Sequence, residues 1–283
     1  MEELKNMIRN MAENSKLDIN RDKTVLICID LLNDGNNDKG FFKQKLGFDI
    51  SLMQNIEARV IELIKTCKKY NIPIIGVQAI YDFGYIPESM HKRFEAMDIR
   101  EGLSLKGSWG SEIIPELKNI GLDLVLVKSH YSAFSPERTF GFRPGNKEVE
   151  QYMKLPAEQD PKLKLDRKKI MTDYFREAHV YKKDIDIYLN KGGVVSLDNY
   201  LKDKNIDTLI IVGASTHVCV DSTVSGASER GYNIIMPIDA VAAEGIPNEG
   251  HLRHFIYLSN HGLFKAELTR TEEILKSLEE KNE

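Results

Sequence analysis

The chain has 283 residues, of which 42% are hydrophobic and 29% charged, and its formal net charge at pH 7 is −4. This length and composition are typical of a globular α/β protein with a full core, and they exclude a basic nucleic-acid-binding surface. No apolar run reaches transmembrane length, and the charged N-terminus is unlike a signal peptide. The three cysteines are scattered, which excludes a disulfide framework. We therefore expect a soluble, cytoplasmic protein without a membrane partner.

Apolar strand patterns alternate with helical patterns along most of the chain. A polar N-terminal helix is predicted first, and the last predicted element is a charged helix from Thr271. Between them the predicted helices are 51–70, 111–120, 218–230 and 247–260, and the predicted strands are 24–29, 74–79, 124–128, 208–212, 233–238 and 262–267. Such alternation predicts a three-layer α/β/α sandwich around a mainly parallel, six-stranded, Rossmann-like sheet.

One segment, about 136–191, interrupts this alternation. It carries many charges and shows no convincing strand, although helices are predicted near 146–154 and 168–182. We interpret the chain as one domain spanning 1–283 with an insertion at 136–191. The insertion is either an arm that packs on another subunit or a lid over the site.

Three reactive side chains are predicted to lie at carboxyl ends of strands. Asp30 follows the first strand, Lys128 ends the third, and Cys219 lies just beyond the fourth. Ligands of open parallel sheets bind at this edge. The pattern therefore predicts that the three residues meet in one site.

Cys219 lies in the turn from Gly213 to Val220, between a strand and a helix. The helix N-terminus and the Lys128 ammonium are both expected to favour the thiolate, the nucleophilic form of cysteine. Backbone N–H groups of Ser215 and Cys219 are candidates for an oxyanion hole. The alternative for a single cysteine on a helix is core packing.

Asp30 and Lys128 have the residue types that this chemistry needs. Asp30 is a candidate general base that removes the thiol proton and a candidate general acid that protonates the leaving amine. Lys128 is a candidate for holding the Asp30 carboxylate and the Cys219 thiolate in place. The alternatives are a loop-entry or capping role for Asp30 and a snorkelling side chain for Lys128.

The segments TVLICIDLLND, LVLVKSHYSAF and DTLIIVGASTHVCVDSTVSGASERGY resemble the isochorismatase-like cysteine hydrolase superfamily. That superfamily includes nicotinamidases, N-carbamoylsarcosine amidohydrolases and ureidoacrylate hydrolases. The resemblance implies its fold, a catalytic triad of Asp30, Lys128 and Cys219, a thioester intermediate, a cis peptide at Ala214–Ser215, and a homo-oligomer, dimer or tetramer.

Two departures from the superfamily pattern bear on the substrate. Leu32 stands where many members have Gln, and the stretch from Val77 to Gly84 lacks the Asp-x-His pair through which nicotinamidases bind a metal. We therefore predict no metal and no cofactor, and the resemblance disfavours nicotinamide as the substrate.

Other residues have two open interpretations. Trp109, Tyr131 and Phe134 are candidates for the wall of a substrate pocket or for rim positions. His217 either contacts substrate or points away from it, and His251 and His254 are expected to have ordinary helix roles. Cys28 and Cys67 are expected to pack in the core.

The function that these features favour is hydrolysis of a C–N bond in a small, non-peptide amide, ureido or carbamoyl compound. One alternative within the superfamily is hydrolysis of a vinyl ether, as in isochorismatases, which does not depend on the cysteine. Another is a non-catalytic protein that binds small molecules.

Overall fold

The strands are short and consist mostly of buried, apolar residues, many of them β-branched. They are β1 (Thr24–Ile29), β2 (Ile74–Ala79), β3 (Leu124–Lys128), β4 (Thr139–Phe142), β5 (Thr208–Ala214), β6 (Asn233–Pro237), β7 (Val241–Ala242) and β8 (Ala266–Thr269). The computed structural model describes residues 1–13, 15, 17–81, 86, 88–96, 99, 103–135, 139–156, 159, 196–259 and 266–280. Every residue of β1, β3 and β5 is buried, as expected for strands covered on both faces.

The helices alternate with these strands over most of the chain. They are α1 (Glu2–Glu13), α2 (Asn33–Asn36), α3 (Phe41–Gln44), α4 (Ser51–Lys69), α5 (Glu88–Ala96), α6 (Pro115–Ile120), α7 (Lys147–Lys154), α8 (Leu197–Asp203), α9 (Asp221–Ser228), α10 (Asn248–Leu258) and α11 (Thr271–Glu280). A π-helical turn, Thr216–Val220, leads directly into α9. Within the described ranges, no helix has the length and apolarity needed to cross a membrane.

Within the described residues, the strands form one sheet in the order β4-β3-β2-β1-β5-β6-β8, and β7 pairs with the end of β5. All pairs are parallel except β3 with β4, which is antiparallel. The predicted mainly parallel sheet is confirmed. The prediction of six strands is wrong, because β4 and β7 add two.

The two unpredicted strands have weak sequence signals. β4 is only four residues long and includes Gly141, and β7 has two residues. The expectation that 136–191 contains no strand is therefore wrong at β4, which gains its ladder from its neighbour β3. The helix predicted near 146–154 is present as α7, whereas the one predicted at 168–182 lies outside the described residues.

Two apolar clusters cover the two faces of the sheet. One joins the sheet to α4, α6 and α11, and the other joins it to α1, α8, α9 and α10. Side chains of β1 enter both clusters, since alternate residues of a strand point to opposite faces. This is the predicted three-layer α/β/α arrangement.

The carboxyl ends of β1 and β5 approach each other closely at Gly213. Ile29 and Gly213 are register partners, and a Cβ on Gly213 would lie 2.1 Å from the Ile29 carbonyl oxygen. Gly213 also has φ +111°, a conformation that side chains disfavour. Only glycine fits here, and this contact brings the residues that follow both strands to the same edge of the sheet.

Candidate active site

Three strand ends supply the residues that the sequence analysis singled out. Asp30 follows β1 with φ +48°, and its N–H donates to the Val77 carbonyl oxygen at 3.1 Å. Lys128 is the last residue of β3, and Cys219 lies in the π-helical turn after β5. The prediction that all three converge at one edge of the sheet is confirmed.

Lys128 lies between the other two side chains. Its Nζ is 2.7 Å from Asp30 Oδ2 and donates to Cys219 Sγ at 3.2 Å and to the His130 carbonyl oxygen at 3.1 Å. The Lys128 side chain is fully buried and that of Asp30 is 11% exposed. A buried ammonium needs such partners, because isolated charges are very costly inside a protein.

Tyr81 is a fourth member of this cluster that the sequence analysis missed. Its hydroxyl lies 3.3 Å from Cys219 Sγ and accepts from Lys128 Nζ at 3.5 Å. The signal was available, because Tyr81 lies just beyond β2, whose end is at the same edge as those of β1 and β3.

The protonation of the cluster follows from its burial and its charges. Burial lowers the pKa of Lys128, but the Asp30 carboxylate and the Cys219 sulfur outweigh it and leave that pKa above its ordinary value. Burial, Cys219 and Asp30 together hold the pKa of Tyr81 well above its ordinary value. Lys128 therefore stays charged, and the Tyr81 hydroxyl keeps its proton.

Cys219 differs from the expectation of a resting thiolate. Burial, followed by the nearby Asp30 carboxylate, raises its thiol pKa to about 12, although Lys128 and the hydrogen bond from Tyr81 act in the opposite direction. The sequence did not reveal that the sulfur lies buried beside a carboxylate, and this surrounding opposes the thiolate that the helix N-terminus was expected to favour. The raised pKa favours the protonated thiol.

A second carboxyl group, also missed by the sequence analysis, lies next to Ser215. The Ala214–Ser215 peptide bond is cis, and the Ser215 hydroxyl donates to Glu244 Oε1. Glu244 is only 7% exposed, and burial raises its pKa to about 7. Its place follows from the pairing of β5 with β7, which sets Ala214 beside Ala242; a two-residue strand leaves little trace in a sequence.

The three aromatic residues predicted as pocket candidates differ in their burial and in their distance from the cluster. Tyr131 is half-buried, with its ring edge-on to that of Tyr81 at 6.4 Å between centroids. Phe134 is buried against Tyr232, with centroids 5.7 Å apart, and belongs to the core. Trp109 is 46% exposed.

His217 lies beside other histidines, although it is only two residues from Cys219. Burial and the neighbouring His254 lower its pKa. His254 Nε2 lies 3.2 Å from Asp221 Oδ2, and His251 Nδ1 lies 3.0 Å from Thr216 Oγ1. In the described part of the chain, no three His, Cys, Asp or Glu residues form a group that could hold a metal ion.

A separate cavity of about 260 Å³ lies between the β2–β4 side of the sheet and α7. Its lining includes Gln78, Val125, Phe142 and Met153, but not Asp30, Lys128 or Cys219. It is therefore distinct from the charged cluster.

Comparison with known proteins agrees with the fold. The family model described as "Isochorismatase domain" matches residues 24–155 and 156–272. The chain belongs to the isochorismatase family. A ureidoacrylate amidohydrolase of Methylorubrum extorquens is 23% identical over 269 residues, which cover 89% of this isochorismatase-family chain and 85% of that protein.

Solved structures show the same architecture. A cysteine hydrolase from Pseudomonas syringae pv. phaseolicola has a TM-score of 0.62 at 17% identity, covering 94% of this chain and 96% of that one. N-carbamoylsarcosine amidase from Thermoplasma acidophilum has a TM-score of 0.51 at 20% identity, covering 88% and 97% respectively. The predicted isochorismatase-like fold is confirmed.

Proposed function

We propose that this hydrolase uses Cys219 to cleave a C–N bond in a small, non-peptide amide, ureido or carbamoyl compound. The observation that carries the proposal is the position of Lys128 Nζ, 2.7 Å from Asp30 Oδ2 and 3.2 Å from Cys219 Sγ. A nucleophile and a proton acceptor held by one buried cation suit acyl transfer. The names of the relatives, ureidoacrylate amidohydrolase and N-carbamoylsarcosine amidase, support the choice of bond.

In the first step, Cys219 Sγ attacks the substrate carbonyl carbon and its proton passes to Asp30. Since the thiol pKa is raised to about 12, the sulfur is mostly protonated before substrate binds. Proton removal therefore accompanies attack, and the carboxylate that receives the proton must be close to the sulfur. Lys128 balances the negative charge of the cluster before and after this transfer.

The carbonyl oxygen becomes an oxyanion in the tetrahedral intermediate. We assign its stabilisation to the backbone N–H groups of Ser215 and Cys219, which lie in the same strand-to-helix turn as the nucleophile. Donors fixed by the backbone need no reorganisation when the charge develops, which is why they are effective.

The intermediate collapses when the C–N bond breaks. The proton held by Asp30 passes to the departing nitrogen, which leaves as ammonia or an amine, and the acyl group stays on Cys219 as a thioester, or as a thiocarbamate where a nitrogen remains on the acyl group. Water then attacks the thioester while Asp30 accepts its proton. Release of the acid returns a proton to Cys219, so one water is consumed for each C–N bond cleaved.

A substrate screen with variants of Cys219 tests this proposal. Ureido acids, carbamoyl amino acids and simple amides are scored by released ammonia or amine. On any substrate found, Cys219→Ala is expected to lower kcat by at least about a thousand-fold, because no other group forms the thioester. Cys67→Ala, which removes another buried thiol from α4, serves as the matched control and is expected to retain turnover.

Mass spectrometry of acid-quenched enzyme provides an independent readout. During turnover the peptide that contains Cys219 should gain the mass of the acyl group, and hydroxylamine should remove it. Amide hydrolysis retained by Cys219→Ala would exclude the cysteine mechanism. If Cys219→Ala instead hydrolyses isochorismate as fast as the wild type does, the vinyl-ether alternative is correct.

A further inference from the structure

Glu244 is a buried carboxyl group that the mechanism above does not use. One oxygen, Oε1, accepts the hydrogen bond from Ser215 Oγ. The other, Oε2, is fully buried and has no hydrogen-bond partner among the described residues. A buried carboxylate oxygen without a donor is costly, so its retention here needs a reason.

The position of Glu244 suggests that reason. It follows β7, which pairs with the end of β5, so it lies beside Ser215 at the edge that also carries Asp30. Asp30 is close enough to raise the pKa of Glu244 further, after the larger effect of burial, whereas the hydrogen bond from Ser215 lowers it. With the resulting pKa at about 7, both the carboxyl and the carboxylate forms are present near neutral pH, and the carboxylate is the form that accepts hydrogen bonds.

Three groups surround a reacting carbonyl carbon in the proposed reaction. The oxygen points to the N–H of Ser215, and the departing nitrogen points to Asp30, which protonates it. The third substituent, which stays on the acyl group, would then extend past Ser215, and Glu244 lies next to Ser215. An unpaired carboxylate oxygen beside Ser215 is able to accept a hydrogen bond from the substrate.

We propose that Glu244 is a substrate-binding, specificity-determining residue, and that its Oε2 accepts an N–H from the nitrogen that remains on the acyl group. This inference rests on the proposed function. Glu244 would then favour compounds with nitrogen on both sides of the carbonyl carbon over simple carboxamides, because a methylene in place of the retained N–H leaves Glu244 Oε2 unpaired. A site built around a substrate N–H discriminates strongly against analogues that lack it.

A matched pair of probes tests the inference. N-carbamoylglycine has nitrogen on both sides of its carbonyl, and succinamic acid has the same skeleton with a methylene in place of the N–H. The wild type is expected to prefer N-carbamoylglycine. Glu244→Gln keeps the shape but offers an amide, so kcat/KM for N-carbamoylglycine should fall about 10- to 100-fold while that for succinamic acid changes less than about threefold.

Glu57→Gln is the matched control. Glu57 is a half-buried carboxyl on α4 that accepts from Asn36 Nδ2 at 3.0 Å, and its pKa is also raised by burial. The selectivity between the two probes should not change in this variant. A thermal melt of each variant checks that it is folded. If the wild type hydrolyses neither probe, the pair is compared as competitive inhibitors of the substrate that the screen identifies.

An equal loss on both probes would mean that Glu244 only positions Ser215, and that result overturns the inference. An unchanged ratio of the two kcat/KM values overturns it as well, and so does wild-type preference for succinamic acid. These results are distinct from failure of the proposed function. That failure would appear as amide hydrolysis retained by Cys219→Ala. If activity depends on Cys219 but Glu244→Gln leaves the preference between the two probes unchanged, only this inference is refuted.

Discussion

The π-helical turn Thr216–Val220 separates two polar regions, one buried and one mostly half-buried, that are built on different principles. On one side, Cys219 lies among charges, with Lys128 paired to Asp30 at 2.7 Å. On the other is a histidine cluster, which we define as His217, His251 and His254 with Asp221. Burial lowers the pKa of His217 and brings that of His251 to about 4, so these two imidazoles are neutral at pH 7.

The difference shows two ways of burying ionisable groups. The region around Cys219 keeps its charges and pairs them, so a proton can move between groups that are already in contact. In the histidine cluster, burial instead keeps His217 and His251 neutral, which avoids the desolvation of two imidazolium ions. The first arrangement suits catalysis, and the second gives the fold a sensitivity to acid.

Removing the central cation should have the largest effect. Lys128→Met keeps the length of the side chain but leaves the Asp30 carboxylate buried without its partner. We expect the free energy of unfolding to fall by about 3–5 kcal/mol and activity to be lost. Urea unfolding at pH 7 measures the first and the ammonia-release assay the second.

Lys118→Met is the control for this variant, since Lys118 pairs with Glu112 at 2.7 Å while both side chains are partly exposed. It should change the free energy of unfolding by less than about 1 kcal/mol. Wild-type stability in Lys128→Met would contradict the view that paired charges hold this region together.

Acid should destabilise the protein through His251. Burial lowers its folded pKa to about 4, with smaller contributions from His217 and His254, and Asp221 faces the cluster from α9. A lowered pKa contributes stability that is present above the unfolded value near 6.5 and is lost as pH falls through about 4. The expected loss between pH 7 and pH 4 is up to about 3 kcal/mol.

The measurement is the free energy of unfolding as a function of pH for the wild type and for His251→Gln. The variant cannot titrate, so its curve should be flatter over this range. Parallel curves for wild type and His251→Gln would assign the acid sensitivity to other groups.

The smallest predicted effect comes from Tyr81→Phe. The ring remains packed edge-on against Phe94 at 5.5 Å between centroids, but the hydroxyl that lies 3.3 Å from Cys219 Sγ is lost. We expect kcat/KM to fall about five- to tenfold, equivalent to about 1 kcal/mol. Steady-state kinetics measures this.

Tyr232→Phe removes a comparable hydroxyl, which donates to Asp198 Oδ1 at 2.8 Å and is the matched control. It is expected to leave kcat/KM within about twofold of the wild type. Equal activities in the two variants would show that the Tyr81 hydroxyl does not assist the sulfur.

Most of the fold was predictable because the main strands are fully buried. The apolar, β-branched composition of a run such as Thr24–Ile29 predicts a buried strand, and the alternation of strands with helices implies parallel pairing. β4 and β7 were missed because each is short and depends on a neighbouring strand for its ladder. The same reasoning placed Asp30, Lys128 and Cys219 at one edge, since each directly follows or ends a recognisable element.

The sequence by itself determined the parallel sheet, the edge at which reactive residues gather and three members of the cluster, because these follow from the local order of strand, loop and helix. Only the tertiary structure decided the protonation of Cys219 and the places of Tyr81 and Glu244. The reason is physical: a pKa depends on burial and on charges that arrive from distant segments, and a hydrogen-bond partner is set by the pairing of strands. Asp30 is 189 residues from Cys219 in the sequence, yet it raises the pKa of that thiol from the adjacent strand end.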